Sequence, residues 1–343
     1  MPPQVLISRS ASQKLFAEVR RWVEVGLAKG GSPLESLVYP LSALVPKQGL
    51  RTPVELLSAE EISEVVIDEV AVPPDDVKVF SAANCHFAGD LDRANAAFNA
   101  DIDRMLGLRP RLGLNSKLHA HPFVDGAFLS PGDIHHGVNA PKAVNWRERR
   151  GLRTAILHVV YPDATPRRSK HAWQITKDGA KTTGGGPTIH WRIRSWASMP
   201  EYGGLVMRDL GDARVVSGSH PSVRAARRKP YWCSARGARW CDAQKSDLRN
   251  AGYPVSRNLL GRGWRRYLVQ TAHTQLLIAL PPDYPALAPR LLDVKRAWRN
   301  EFEEVPLPRD FEAGFSASLL DLVRRFGAPP QSAETATTAE TNT

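Results

Sequence analysis

The sequence predicts an α/β fold in which helices flank a mixed sheet, followed by a second, smaller α+β domain. Helical and extended segments alternate through the first half of the 343 residues. Residues 182–187 then contain three successive glycines, a composition typical of a loop or linker, and the pattern after them is more β-like. We therefore expect domains at 1–180 and 188–330. The tail at 331–343 is rich in Thr, Ala and Glu and is expected to be disordered.

The elements of the first half follow from the spacing of apolar residues. Residues 5–8 form a short apolar strand, and Leu15, Val19 and Val23 recur on one face of the helix that follows. The remaining elements predicted here are extended segments at 34–45, 65–72, 115–121 and 154–161, and helices at 90–105 and from about Pro131.

The second half is predicted from shorter signals. Ile189, Trp191 and Ile193 alternate with polar residues, which predicts a strand, and residues 268–280 form another long extended stretch. We expect two helices, near 291–302 and 310–326, to complete this domain.

Composition and charge limit the class of protein. The net charge is +11, and basic clusters near residues 150, 227 and 265 suit either an acidic partner or an ordinary solvated surface. No apolar run approaches the ~20 residues of a membrane span, and the residues after Met1 do not resemble a secretory signal. Three cysteines are too few for a disulfide framework. We expect a cytoplasmic protein with no membrane partner.

The segment from His119 to Asp133 carries the strongest chemical signal. On a strand, His119 and His121 point to one face and can bind the same ion. Ser130 followed by Pro131 is typical of a helix start, which puts Asp133 in the first turn. Two imidazoles, a carboxylate and one open position are the ligands of a catalytic zinc site. We therefore expect one Zn²⁺ per chain, held by His119, His121 and Asp133.

The other histidines and cysteines have weaker claims. His158 lies on a predicted buried strand, and His86 follows Cys85, so structural roles are expected for these residues. The spacing of Cys233 and Cys241 supports neither a metal site nor a nucleophile.

The segment His119–Asp133 resembles the JAMM signature (JAB, MPN+) of zinc metallopeptidases, which is His-x-His-Pro, seven residues, Ser, two residues, Asp. A chance match to five fixed residues at these spacings is expected in about one such chain in ten thousand. The resemblance covers residues 4–178 and implies a cytidine-deaminase-like mixed sheet with zinc at its edge. Ala120 departs from the Ser or Thr that is commoner between the histidines.

The resemblance also implies a glutamate that acts as general base. Glu35 occupies the corresponding place, after the N-terminal helix and at the start of an apolar strand. Surface charge is the simpler interpretation of the other candidates, which are Glu55, Glu60, Glu61, Glu64 and Glu69. By the same resemblance Ser130 hydrogen-bonds the water or the oxyanion, although a plain helix cap explains it too. Val38 stands where the family often has glycine, and the interval from Glu35 to His119 implies an insertion.

Residues 275–289 resemble the strand and Tyr-Pro turn of ubiquitin-conjugating and RWD-type folds. In those folds an apolar strand leads into Pro-x-x-Tyr-Pro and a further proline. Neither His-Pro-Asn nor a cysteine follows here, so the resemblance implies an inactive, binding version of the fold. An ordinary strand that ends in a proline-rich turn explains the same residues.

The JAMM resemblance implies hydrolysis of a peptide or isopeptide bond next to the C-terminus of a ubiquitin-like protein, with that modifier and its conjugates as partners. Processing of a sulfur-carrier protein by the same chemistry is an alternative. A non-catalytic MPN scaffold is another, but the complete ligand set argues against it. A RadC-like protein linked to DNA would have a shorter spacing to the serine. We therefore expect no nucleic-acid partner, with the basic clusters as the only contrary sign.

Overall fold

A computed structural model divides the chain into two compact units, Met1–Arg228 and Lys229–Thr343. This division differs from the predicted boundary at 180–188, because the strand Trp191–Glu201 pairs with Ile156–Pro162 and so belongs to the first unit. The residues that the structure describes are 1–28, 34, 37–50, 57–73, 78–80, 85–87, 91–122, 128–139, 154–162, 174–176, 179–181, 188–189, 191–201, 204–258, 264–296, 301–312 and 314–330.

The first unit is built around a sheet of eight strands. Its elements are β1 (Gln4–Ser8), α1 (Arg9–Ala28), β2 (Leu37–Pro46), β3 (Ile62–Ala71), β4 (Lys78–Phe80), β5 (Cys85–Phe87), α2 (Leu91–Leu108), β6 (Lys117–Ala120), α3 (Pro131–Asn139), β7 (Ile156–Pro162), β8 (Gln174–Thr176), β9 (Gly179–Lys181), β10 (Thr188–Ile189), β11 (Trp191–Glu201), β12 (Gly204–Asp212), β13 (Arg214–Val216) and α4 (Pro221–Arg227). The main sheet has the order β12-β11-β7-β6-β2-β3-β1-β13, and β4-β5 and β8-β9-β10 form two small antiparallel sheets. The main sheet is mixed, as predicted, because β1 pairs in parallel with β3 and β13, and β6 with β7, among otherwise antiparallel strands.

Helices cover both faces of the main sheet. The side chains of Leu15 and Val19 on α1 are fully buried in the cluster that includes Ile7. The side chain of Ile102 on α2 is fully buried in a different cluster, which includes Leu6. Neighbouring strand residues point to opposite faces, so α1 and α2 lie on opposite sides of the sheet. The predicted flanking helices are therefore confirmed.

A buried carboxylate on this sheet forms ion pairs with arginines of two helical segments. Asp68 lies on β3 where the register with β2 shifts by one residue, and its side chain is fully buried. Arg227 of α4 donates from Nε to Oδ2 and from Nη2 to Oδ1 of Asp68, both at 2.8 Å. Arg109, just after α2, donates from Nη1 to Oδ2 at 2.5 Å and to the Asp68 carbonyl oxygen at 2.8 Å. These donors satisfy a charge that burial would otherwise make costly.

The second unit consists of helices and an antiparallel sheet, which agrees with the predicted α+β arrangement. Its elements are α5 (Ala235–Asn250), β14 (Val255–Asn258), β15 (Arg265–Gln270), β16 (Gln275–Leu280), β17 (Arg290–Arg296), β18 (Glu301–Val305) and α6 (Leu319–Arg324). The five strands pair in chain order as a meander. Leu248 of α5 and Leu322 of α6 are buried in one cluster with Tyr267 and Ile278 of the sheet. The predicted apolar strand before the Tyr-Pro turn is β16, and Tyr284 in the turn is fully buried.

Two predictions for the second unit are wrong. The described residues of the helix predicted at 291–302 are strands instead: β17 and β18 pair with each other, with Val294 opposite Phe302, and Leu291 lies opposite Ile278 of β16. Short apolar segments such as this one match helical and strand patterns alike, and the neighbouring strand decides between them. The helix predicted at 310–326 forms only over Leu319–Arg324.

Helix α5 was not predicted, because its sequence is mostly polar. Its start is marked by Ser234, whose Oγ accepts from the backbone N–H of Gly237 at 3.0 Å. Among the described helices of both units, none is long and apolar enough to cross a membrane.

Candidate metal centre

Strand β6 places the predicted histidine positions on one face of the main sheet. It lies between β2 and β7, with His119 opposite Leu37 on one side and Val159 on the other. Leu118 and Ala120 are buried in the cluster beneath α1, so alternation puts positions 119 and 121 on the opposite face. The backbone N–H of His121 donates to the carbonyl oxygen of Val160 at 2.7 Å, which extends the β6–β7 pairing by one residue.

The imidazole of His121 is largely withdrawn from solvent. The residue is 6% exposed, and its ring lies against that of Phe128, with centroids 5.1 Å apart. Phe128 itself is 49% exposed, so one part of its surface shields the imidazole while another part meets solvent. A shielded imidazole on the predicted face suits a metal ligand, because a low local dielectric strengthens its interaction with a cation.

The first turn of α3 has the predicted cap. The Ser130 Oγ accepts from the backbone N–H of Asp133 at 3.2 Å. The Asp133 Oδ2 in turn accepts from the backbone N–H of Ser130 at 2.9 Å and from its hydroxyl at 2.7 Å. This is a reciprocal capping arrangement, and it holds the Asp133 carboxylate at the start of the helix. The predicted helix start at Ser130 and Pro131 is confirmed.

Helix α3 packs over the same side of the sheet as positions 119 and 121. It contacts β7, β11 and β12. Arg194 and Trp196 of β11, which line a cavity together with Ile134 of α3, lie in register with Val159 and Leu157 of β7. Val159 is also the partner of His119, so these residues share the face that carries the histidine positions. The strand that carries positions 119 and 121 and the helix that begins at Pro131 therefore lie on the same side of the sheet.

Three parts of the predicted site lie outside what the structure describes. These are the side chain of His119, the whole of Glu35, and the distances between His119 and the other proposed ligands. Among the described side chains, no three from His, Cys, Asp and Glu form a group able to hold a metal. The donor types nevertheless fit zinc, which takes imidazole nitrogen and carboxylate oxygen, and the shielded His121 ring lies on the required face.

His158 has a structural role, as expected. It is fully buried on β7, and its Nδ1 is hydrogen-bonded to the Ser195 Oγ at 2.8 Å. Its register partner Leu118 belongs to the cluster beneath α1, so His158 points away from the histidine positions of the motif. Burial lowers the pKa of His158 to about 3, which keeps the ring neutral.

The cysteines of the second unit do not form a metal site among the described residues. Cys241 is buried on α5, and burial raises the pKa of its thiol to about 11, which leaves little reactive thiolate. Cys233 is exposed. Cys85 and His86 lie on β5, and their side chains fall outside the description.

Two polar pairings beside the candidate site were not predicted from the sequence. Arg194 of β11 donates from Nε to both carboxylate oxygens of Asp209 on β12, at 3.2 and 3.0 Å, and this lowers the pKa of Asp209. The Tyr161 hydroxyl donates to the Asp212 carboxylate at 3.0 Å, and burial and then this hydrogen bond raise the pKa of Tyr161. The available signal was weak, because these partners meet only once β7, β11 and β12 are paired.

No protein-family model and no curated protein matches the chain. The resemblance to the JAMM family therefore rests on the motif from His119 to Asp133.

Proposed function

We propose that the chain is a zinc-dependent peptidase of the JAMM type, which hydrolyses a peptide or isopeptide bond next to the C-terminus of a ubiquitin-like protein. The observation that carries the proposal is the shared sheet face. A strand presents positions 119 and 121 on this face, and a helix capped by Ser130 and Asp133 packs over it. A motif match by chance would not require these two segments to meet.

His119, His121 and Asp133 would hold the metal. Zinc bound in this way would supply a Lewis acid and lower the pKa of a water molecule toward ~7, which makes hydroxide available at neutral pH. The capping arrangement contributes to the site by fixing the Asp133 carboxylate in one orientation. The Phe128 ring contributes by excluding solvent from one side of His121.

Glu35 is assigned the proton transfers. It would accept a proton from the attacking water and deliver it to the amine that leaves. Glu35 precedes Leu37 by two residues, and Leu37 lies opposite His119, so the strand after Glu35 is next to the histidine strand. This adjacency favours Glu35 over Glu64 and Glu69 on β3, which is separated from β6 by β2.

Ser130 is assigned a hydrogen bond to the oxyanion that develops on the scissile carbonyl. In the structure its hydroxyl proton is directed at Asp133. One hydroxyl carries one proton, so Ser130 must leave the Asp133 Oδ2 to donate to the substrate. The backbone N–H of Ser130, which also donates to that oxygen, keeps the carboxylate in place meanwhile.

The second unit is proposed as an inactive, binding version of a ubiquitin-conjugating or RWD-type fold. The support is the order of its elements, in which the apolar strand β16 leads into the Tyr284-Pro285 turn and then into the next strand, β17. Binding of a ubiquitin-like protein by this unit would complement cleavage by the first.

Metal analysis and cleavage assays test the peptidase proposal. The purified wild-type chain should contain about one zinc, and His121→Ala should lose it. His273 is an exposed histidine of the second unit, and His273→Ala should retain the zinc. Glu35→Gln should keep the zinc and lose cleavage of a ubiquitin-like protein fused to a reporter peptide. Full zinc in His121→Ala would contradict the ligand set. A sulfur-carrier fusion run in parallel distinguishes the two substrate classes.

A further inference from the structure

A cavity of about 550 Å³ lies between the start of α3 and the edge strand β12. Phe128 and Ile134 line it on the helix side, and Leu205, Val206 and Met207 on the strand side. Its volume is within the roughly 300–1,000 Å³ typical of binding pockets. Phe128 and Ile134 are 49% and 44% exposed. Two of the eight large apolar side chains that are exposed in the described residues therefore lie at this one place.

The cavity adjoins the candidate metal centre. Phe128 lines the cavity and contacts the His121 ring at a centroid distance of 5.1 Å. Arg194, which also lines the cavity, lies in one row of the sheet with Val159 and His119. Two strand spacings separate the first and last of these backbones, or about 10 Å. A ligand in the cavity would be within a few residues' reach of the metal centre.

The lining of the cavity favours an extended peptide with apolar side chains. Met207 lies opposite Ser198 of β11 and so shares the α3 side of the sheet with Trp196. Val206 lies opposite Met199, which belongs to the cluster beneath α1, so its side chain is on the other side of the sheet. The cavity therefore lies on the α3 side of β12. Among the strands that the structure describes, β12 ends the main sheet, and such an edge can pair with an added strand. The charged lining residues Arg194 and Asp209 are already paired with each other, so the cavity offers no net charge to an ionic side chain.

We propose that this cavity binds an extended segment of the polypeptide substrate, which pairs along the edge of β12 and inserts a large apolar side chain beside Phe128. This assignment rests on the proposed peptidase function, and it adds a substrate preference: an apolar residue within a few positions of the bond that is cleaved. Helix α3 then contributes to metal binding through Asp133 and to substrate binding through Ile134.

Peptide binding to the full chain tests the assignment without requiring cleavage. The probes are fluorescently labelled Thr-Leu-Thr-Leu-Thr-Gly and the same peptide with both leucines replaced by aspartate, followed by fluorescence anisotropy. The leucine peptide should bind at least about tenfold more tightly, which is the discrimination expected of an apolar pocket. Met207→Asp, which places a charge on the α3 side of β12, should weaken the binding of the leucine peptide by about tenfold or more. Equal binding of the two peptides would overturn the proposal.

Val215→Asp is the matched control. Val215 is 48% exposed on β13, the strand at the opposite end of the same sheet, so it receives the same introduced charge far from the cavity. The affinity of Val215→Asp for the leucine peptide should stay within about twofold of the wild type. Equal losses of affinity in the two variants would overturn the proposal. Circular dichroism melting should show that both variants fold.

His121→Ala separates this proposal from the peptidase assignment. It should bind the leucine peptide as the wild type does while losing zinc and cleavage. If the wild type binds the peptide as expected but contains no zinc, the peptide site stands and the peptidase function fails. If the wild type cleaves fusions but Met207→Asp leaves the KM unchanged, the peptidase function stands and the cavity assignment fails.

Discussion

Removal of the Asp68 carboxylate should destabilise the first unit more than any surface charge change. The side chain is fully buried and accepts three hydrogen bonds from Arg109 and Arg227. Removing one partner of a buried ion pair costs about 3–5 kcal/mol. Arg109 and Arg227 are 30% and 37% exposed and can regain water contacts, so we expect Asp68→Ala to cost about 3 kcal/mol, the lower end.

Scanning calorimetry of the full chain can measure this loss. For a unit of this size about 3 kcal/mol corresponds to a fall of roughly 6–12 °C in the unfolding midpoint. Asp101→Ala is the control, because Asp101 pairs with Arg104 at 2.7 Å with both side chains exposed, and its loss should cost no more than about 0.5 kcal/mol. If the two variants have the same unfolding midpoint, the ion pairs of Asp68 do not stabilise the packing of α2 and α4 on the sheet.

Three further predictions concern single side chains. His158 has a folded-state pKa of about 3 against 6.5 ordinarily, so the unfolded state binds the extra proton between these values. The free energy of unfolding should therefore fall as the pH drops below 6.5, by up to about 1.4 kcal/mol per pH unit, and His158 should not affect its pH dependence above 6.5. Urea titrations at several pH values should show that His158→Gln lacks this slope. Ser130→Ala should cost about 1 kcal/mol through the lost cap, and Ser130→Gly only a few tenths. If both Ser130 variants lose cleavage activity to the same extent, the oxyanion contact is supported. If the loss of activity is larger in the less stable Ser130→Ala, the contact is contradicted. A neutral thiol reagent, followed by peptide mass mapping, should label exposed Cys233 well before buried Cys241, and equal rates would refute the burial of Cys241.

The parts of the structure that sequence predicted correctly depend on local signals. The helix start at Ser130 is determined by the residue itself, by Pro131 after it and by Asp133 three positions on. Likewise, the apolar spacing of Leu15 and Val19 was sufficient to predict α1, because one turn of helix already defines the buried face.

The parts that sequence did not predict depend on distant partners. Asp68 meets Arg109 and Arg227, which are 41 and 159 residues away along the chain. The β17–β18 hairpin was mistaken for a helix because the partner strand, not the segment's own spacing, sets its conformation. The Arg194–Asp209 pair and the cavity beside it are likewise products of strand pairing, so no local pattern could reveal them.

The alternation along β6 and β7 divides their residues between two tasks. Leu118, Ala120 and His158 face the core beneath α1, whereas positions 119 and 121 face the candidate metal centre. Selection for a stable fold and selection for the properties of the metal centre therefore act on alternate residues of the same strands. Variation confined to the odd positions of β6 could alter the reaction while the fold is retained, and a mutational scan of these strands should show a tolerance profile with a period of two.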